Sequence, residues 1–172
     1  TPRLIISDAH SGLVSAIRAS FPGASWQRCK VHFMRNILAY VPQKEKRSFA
    51  EALKEIWLAP TAELARKRAY EVIDFYAKRF PKAVQCLEAG LEDSLAFYAF
   101  PMLDARKISS SNMIERLNRE IRRRTGVVGI FPNESSYVRL VTTYLMEYAE
   151  DWSVSKAYLS RESIAATLLV AA

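Results

Sequence analysis

A chain of 172 residues, half of them hydrophobic, suits one domain with a real core and excludes a disordered tail. Lys and Arg number 25 against 18 acidic residues, a net charge of +7, so a polyanion such as nucleic acid is the first partner to consider. The longest apolar runs, such as Ile164 to Ala172, fall short of a membrane span, and two distant cysteines with no signal-peptide layout point to a reducing cytoplasm.

Leu4-Ile5-Ile6-Ser7-Asp8 reads as a short buried strand ending in a carboxylate, and Leu13, Ala16, Ile17 and Phe21 then follow helical spacing. Phe21-Pro22-Gly23 breaks that helix, Ala24 to Cys29 alternates as a second strand, and Val31 to Tyr40 is helical before Pro42. From Gln43 to Phe97 the residues are helix formers, with helices expected at 43–58, 61–79 and 82–98, punctuated by Pro60 and Pro81. Ser110 to Arg124 reads as a basic helix and Thr125 to Asn133 as a Gly and Pro connector. Glu134 to Asp151 carries one stripe of Tyr137, Leu140, Val141, Tyr144, Leu145, Tyr148 and Trp152. Two strands make a marginal sheet, so the expectation is an α/β, predominantly helical fold whose remaining strands lie before Thr1. The absence of an initiator Met agrees with a chain cut from something longer.

Three constellations carry chemistry. In Ser7-Asp8-Ala9-His10-Ser11-Gly12-Leu13 the acid stands at the carboxyl end of a strand, where open α/β sheets place ligands and where a carboxylate can hold a hard cation; Asp8 could equally cap the helix that follows. Cys29-Lys30-Val31-His32 has a spacing that could put a thiolate and an imidazole on one metal. A tetrahedral zinc site needs two further ligands, and His10 and Cys86 do not fall at zinc-finger spacings, so Cys29 and His32 read as packing and hydrogen-bonding residues at a strand-to-helix junction. In the third, Asn112 and Glu115 have the shape of a capping box, and Arg116, Arg119, Arg122, Arg123 and Arg124 follow, offering guanidinium groups to phosphates from about half the helix circumference.

Taken together and in order, Ser7-Asp8-x-His10-x-Gly12-Leu13, Trp26-Gln27-Arg28-Cys29-x-x-His32 with Arg35-Asn36, Asn112-x-Ile114-Glu115-Arg116-x-Asn118-x-Glu120-Ile121-Arg122-Arg123-Arg124-Thr125 and Val127-Val128-Gly129-x-Phe131-Pro132-Asn133 resemble Mutator-type bacterial insertion-sequence transposases. The resemblance runs from Leu4 to about Trp152. It implies a partial RNase H-like core at 1–42, a helical insertion at 43–104 and returning core helices at 105–172. It also implies three carboxylates holding two Mg²⁺ (or Mn²⁺) ions, with Asp8 as the second Asp, Glu115 as the Glu, and the first Asp upstream of Thr1. Cys29, His32 and Asn112 match the family signature as structural residues. DNA, as transposon ends and target, is the implied partner, the full-length protein a homo-oligomer, and the reaction phosphodiester cleavage and strand transfer, of which two carboxylates by themselves are not capable. The rival readings are a non-catalytic, basic nucleic-acid-binding remnant or regulatory fragment, and a nuclease that cuts without strand transfer.

Overall fold

The computed structural model describes residues 1–154 and 158–169, and the chain divides into two units, Thr1–Ser111 and Asn112–Ala172. The end of the apolar run Ile164 to Ala172 and the side chain of Trp152 lie outside the described residues.

The first unit opens with strand β1 (Leu4–Ser7), helix α1 (Ser11–Ser20), strand β2 (Ser25–Arg28) and helix α2 (Lys30–Leu38). The strands are parallel, with Leu4 opposite Ser25 and Ser7 opposite Arg28. Parallel neighbours cannot be joined by a tight hairpin, and α1 is the crossover that returns the chain to the same edge. Helices α3 (Lys46–Trp57), α4 (Ala62–Tyr76) and α5 (Pro81–Ser94) follow, then a 3-10 turn (Ala96–Ala99) and the short α6 (Ala105–Ile108). Among the described residues no strand follows β2, in agreement with the run of helix formers from Gln43. Their ends have local causes: the Thr61 hydroxyl accepts from the Leu64 amide at 3.2 Å, and Pro81 occupies the first position of α5, where its missing N–H is not needed. The helix expected at 82–98 is in fact α5 plus the 3-10 turn, because Ser94 turns its hydroxyl back on the Leu91 carbonyl at 2.7 Å and the chain tightens there.

The core of this unit lies among α2, α3, α4 and α5, where Phe33, Ile37, Phe49, Leu53, Ile56 and Leu87 are fully buried, each contributing roughly 1.5–3 kcal/mol by leaving water. Phe49, Tyr76 and Phe80 stack into an aromatic cluster, with Phe49 and Tyr76 centroids 4.4 Å apart. A polar clasp fixes β2 to the helices. The buried Gln27 amide donates to the Ser94 carbonyl at 2.8 Å, and its oxygen accepts from the Phe97 amide at 2.8 Å. The Trp57 indole N–H donates to the Ser94 hydroxyl at 3.0 Å. No buried side-chain polar atom among the described residues lacks a partner, the condition under which such a network specifies a core rather than weakening it.

The second unit contains α7 (Asn112–Val128), α8 (Glu134–Val154) and α9 (Arg161–Leu169). Helix α7 runs four residues past the expected end at Arg124. The Thr125 hydroxyl donates to the Ile121 carbonyl at 3.0 Å, Gly126 is carried inside the helix, and the stop comes at Gly129, whose φ of 74° is the left-handed conformation that glycine adopts without penalty. On α8, Tyr144 is buried and Leu140, Val141 and Tyr148 are half-buried, while Tyr137 and Leu145 are exposed. Among the described residues, no helix is long and apolar enough to cross a membrane.

Candidate active site

The site in the first unit follows from strand register. Ser7 is opposite Arg28, and the Cys29 amide donates to the Ser7 carbonyl at 2.8 Å, so Asp8 and Cys29 leave the sheet side by side at its carboxyl edge. Adjacent strands are ~4.8 Å apart, which brings the next residues of both within side-chain reach. Helix α2 starts directly after Cys29, and one turn later His32 projects on the same side. The outcome is a contact between His32 Nδ1 and Asp8 Oδ1 and a cluster in which ligand atoms of Asp8, Cys29 and His32 all lie within 4.8 Å of one another. The Asp8 carboxylate is half exposed, and it borders an open polar cleft of about 320 Å³ with Ala9, His10, His32, Arg35 and Asn36. Asp8 does not cap α1: His10 holds the N-cap position and makes no side-chain cap bond.

The walls of this cluster are fixed. Trp26 donates its indole N–H to the Ser7 hydroxyl at 2.8 Å, and Arg28 lies over the Phe33 ring, 4.0 Å from its centroid. Cys29 is fully buried, and its sulfur accepts from both the amide and the hydroxyl of Ser111 at 3.3 Å. The Lys30 amide donates to the Ser109 carbonyl at 3.0 Å, which ties the segment before Asn112 to the end of β2. Burial lowers the Lys30 ammonium from its usual range, a shift opposed by Cys29 and Asp104. Asp104 itself is held low by its hydrogen bonds from Arg106.

In the second unit Glu115 stands in the first turn of α7, half-buried, with Arg119 and Arg122 four and seven positions on and therefore on its side of the helix. Arg116, Arg119, Arg122, Arg123 and Arg124 are all exposed. Two of them are engaged within the unit: Arg123 pairs with Glu120 at 2.8 Å, and Arg124 lies 4.2 Å above the Tyr144 ring centroid. Asn112 is the first residue of α7 and is exposed.

The model of the Mutator family of transposases matches residues 2–155. This chain belongs to that family. Among curated relatives, the transposase for insertion sequence element IS256 in transposon Tn4001 of Staphylococcus aureus is 44% identical over 154 residues, 88% of this chain and 39% of that protein. The transposase for insertion sequence element IS1081 of Mycobacterium tuberculosis is 42% identical over 159 residues, 92% of this chain and 38% of that protein. That for ISRM5 of Rhizobium meliloti is 38% identical over 163 residues, 94% of this chain and 40% of that protein. The chain thus spans about two-fifths of the length of the curated relatives it matches.

In this Mutator-family chain, strand register brings together Asp8, Cys29 and His32, residues that fall in two separate sequence motifs. Sequence reasoning did not find the Asp8 to His32 contact, nor the structural task of Gln27. The signal for the first was two strands of equal length, each followed at once by a chemistry-bearing residue. For the second it was a polar residue at the centre of a buried strand.

Proposed function

We propose that this chain is the part of a DDE transposase that carries the second and third catalytic carboxylates, Asp8 and Glu115, and the basic helix that holds DNA. The observation that carries the reading is Asp8: a half-exposed carboxylate at the carboxyl end of a parallel strand, facing a polar cleft and oriented by His32 rather than spent on a helix cap. The β1-α1-β2-α2 order supports a partial RNase H-like sheet, completed by strands elsewhere in the whole protein, since two parallel strands form a marginal sheet by themselves.

Asp8 and Glu115 offer hard oxygen donors that fit Mg²⁺ or Mn²⁺, two ions in the complete site, which when bound activate an attacking water or DNA 3′-hydroxyl and stabilise the departing oxygen. His32 holds the Asp8 carboxylate in one orientation. Arg119 and Arg122, on Glu115's side of α7, hold the phosphate backbone beside the acid and contribute affinity without reading sequence.

The test is Glu115→Gln in the full-length protein, with Asp8→Asn beside it. Each removes a charged oxygen ligand while leaving the arginines in place, so cleavage and strand transfer are lost and DNA affinity stays nearly unchanged. If Glu115 is only part of a capping box, Gln is tolerated there and cleavage survives. Near-normal cleavage by Glu115→Gln overturns the catalytic reading in favour of a basic module that only binds nucleic acid.

A further inference from the structure

We propose that Arg35, with Asn36 beside it, is the anion clamp of this site: the two hold a non-bridging oxygen of the phosphodiester that is cut next to Asp8. The inference rests on the catalytic reading of Asp8 given above and adds to it the residues that grip the reacting phosphate.

Helix α2 sets the positions. Arg35 and Asn36 follow His32 by three and four residues, one turn along the same face of the helix. That turn carries them to the cleft of about 320 Å³ that Asp8, His10 and His32 also border. The end of β1 and the exposed face of α2 therefore offer opposite charges to one space. Asp8 pairs with His32 and not with Arg35, so carboxylate and guanidinium share the cleft without neutralising each other. A ligand that satisfies both must turn negative charge toward Arg35 and be compatible with a carboxylate that holds a hard cation. A phosphodiester does so, because its two non-bridging oxygens can face different partners.

The other arginines of this unit supply a second argument. Arg66, Arg79 and Arg106 hold carboxylates at 2.8, 2.5 and 3.0 Å, and Arg28 lies over the Phe33 ring. Among the described residues the exposed Arg35 has no such partner; Arg18 shares that condition but does not border the cleft. A guanidinium presents fixed, permanently charged N–H donors that match phosphate oxygens, and the Asn36 carboxamide adds a neutral donor. A cation in the last turn of α2 also suits the helix dipole, but that role acts on folding alone.

In the cleavage step the attacking water oxygen bonds to phosphorus and its proton passes to solvent. The bond to the departing 3′-oxygen breaks with its electron pair, and charge gathers on the non-bridging oxygens. Donors already aimed at those oxygens act most strongly in that transition state.

The test uses the full-length protein and DNA with either a phosphodiester or a methylphosphonate, which is neutral, at the cut position. Affinities are measured in chelator, so that binding is read without cleavage. The ratio of affinities, phosphodiester over methylphosphonate, is expected to fall about 10-fold in Arg35→Ala for the diastereomer that lacks the held oxygen, and less in Asn36→Ala. A methylphosphonate remote from the cut leaves the ratio the same in parent and variants. With Mg²⁺ present, Arg35→Ala cleaves phosphodiester DNA about 100-fold more slowly, and Arg35→Lys recovers part of the rate. A ratio equal to the parent's for both diastereomers, or cleavage by Arg35→Ala at the parent rate, overturns the clamp. Near-normal cleavage by Asp8→Asn removes the catalytic reading itself, whereas loss of cleavage in Asp8→Asn with an unchanged ratio in Arg35→Ala removes the clamp alone.

Discussion

Single residues in the first unit carry more than their own volume. Gly90 sits where α5 passes β2 and α2, and a Cβ placed there would lie 2.2 Å from an Arg28 guanidinium nitrogen and 2.8 Å from the Phe33 ring. The guanidinium can swing away, but Phe33 is fully buried and closely packed, so the ring cannot. Gly90→Ala is expected to destabilise by about 1–3 kcal/mol, the usual cost of overpacking, despite the better helix propensity of Ala. Chemical denaturation that shows Gly90→Ala at or above the parent stability refutes this. Gln27→Leu is a different experiment, since it keeps the volume and deletes the partner of the buried Phe97 amide and of the Ser94 carbonyl. Each orphaned group costs about 1–3 kcal/mol, so this variant should fall at least as far as Gly90→Ala. The sequence marks Gln27 only as a polar residue in a strand. Its partners are 67 and 70 positions away, which no local pattern encodes.

Among the elements, α7 divides its arginines between those engaged within the unit and those that are exposed without such a contact among the described residues. Arg124 is committed to the Tyr144 ring and Arg123 to Glu120, while Arg116, Arg119 and Arg122 are exposed. Replacing Arg119 and Arg122 with Ala in the full-length protein should weaken DNA binding for all sequences alike and lower the salt slope by about one per lost phosphate contact. Arg124→Ala should act mainly on stability, by about 0.5–1 kcal/mol for a partly exposed cation over a ring. Filter binding across salt concentrations separates the two, and an unchanged slope in the Arg119 and Arg122 variants would remove α7 from the DNA-contacting surface. The element boundaries show what periodicity reveals and what it conceals. Strands, crossover and the helical run from Gln43 are legible because apolar spacing changes from two to three or four and prolines mark the starts. The overrun of α7 is concealed because Gly126 looks like a stop in one dimension, whereas the Thr125 hydroxyl and the left-handed Gly129 decide it in three. The convergence of Asp8, Cys29 and His32 is concealed for a related reason: it depends on pairing register across a crossover, and register is a tertiary fact.

Across the molecule, the two units differ in how they are held. The first has a closed core in which Phe33, Ile37, Phe49, Leu53, Ile56 and Leu87 are fully buried, and its polar groups are tied by Gln27, Ser94 and Trp57. In the second, Tyr144 is the one buried hydrophobic side chain among the described residues, and α7 has none. Helices of this length gain most of their stability from burial of an apolar face rather than from propensity. Local opening of the second unit should therefore cost far less free energy than opening of the first. Hydrogen exchange is expected to show the amides of α3, α4 and α5 exchanging only through global unfolding, while those of α7 exchange through low-energy local opening at rates insensitive to variants such as Gly90→Ala. If Arg119 and Arg122 grip phosphates as proposed, addition of DNA to the full-length protein should slow α7 selectively, because binding only the folded form stabilises the helix. If α7 amides in the chain are as protected as those of α3 without DNA, the weak-core account of the second unit is wrong. If DNA leaves α7 exchange unchanged while binding tightly, the phosphates are held elsewhere, and the role assigned to the basic helix fails with it.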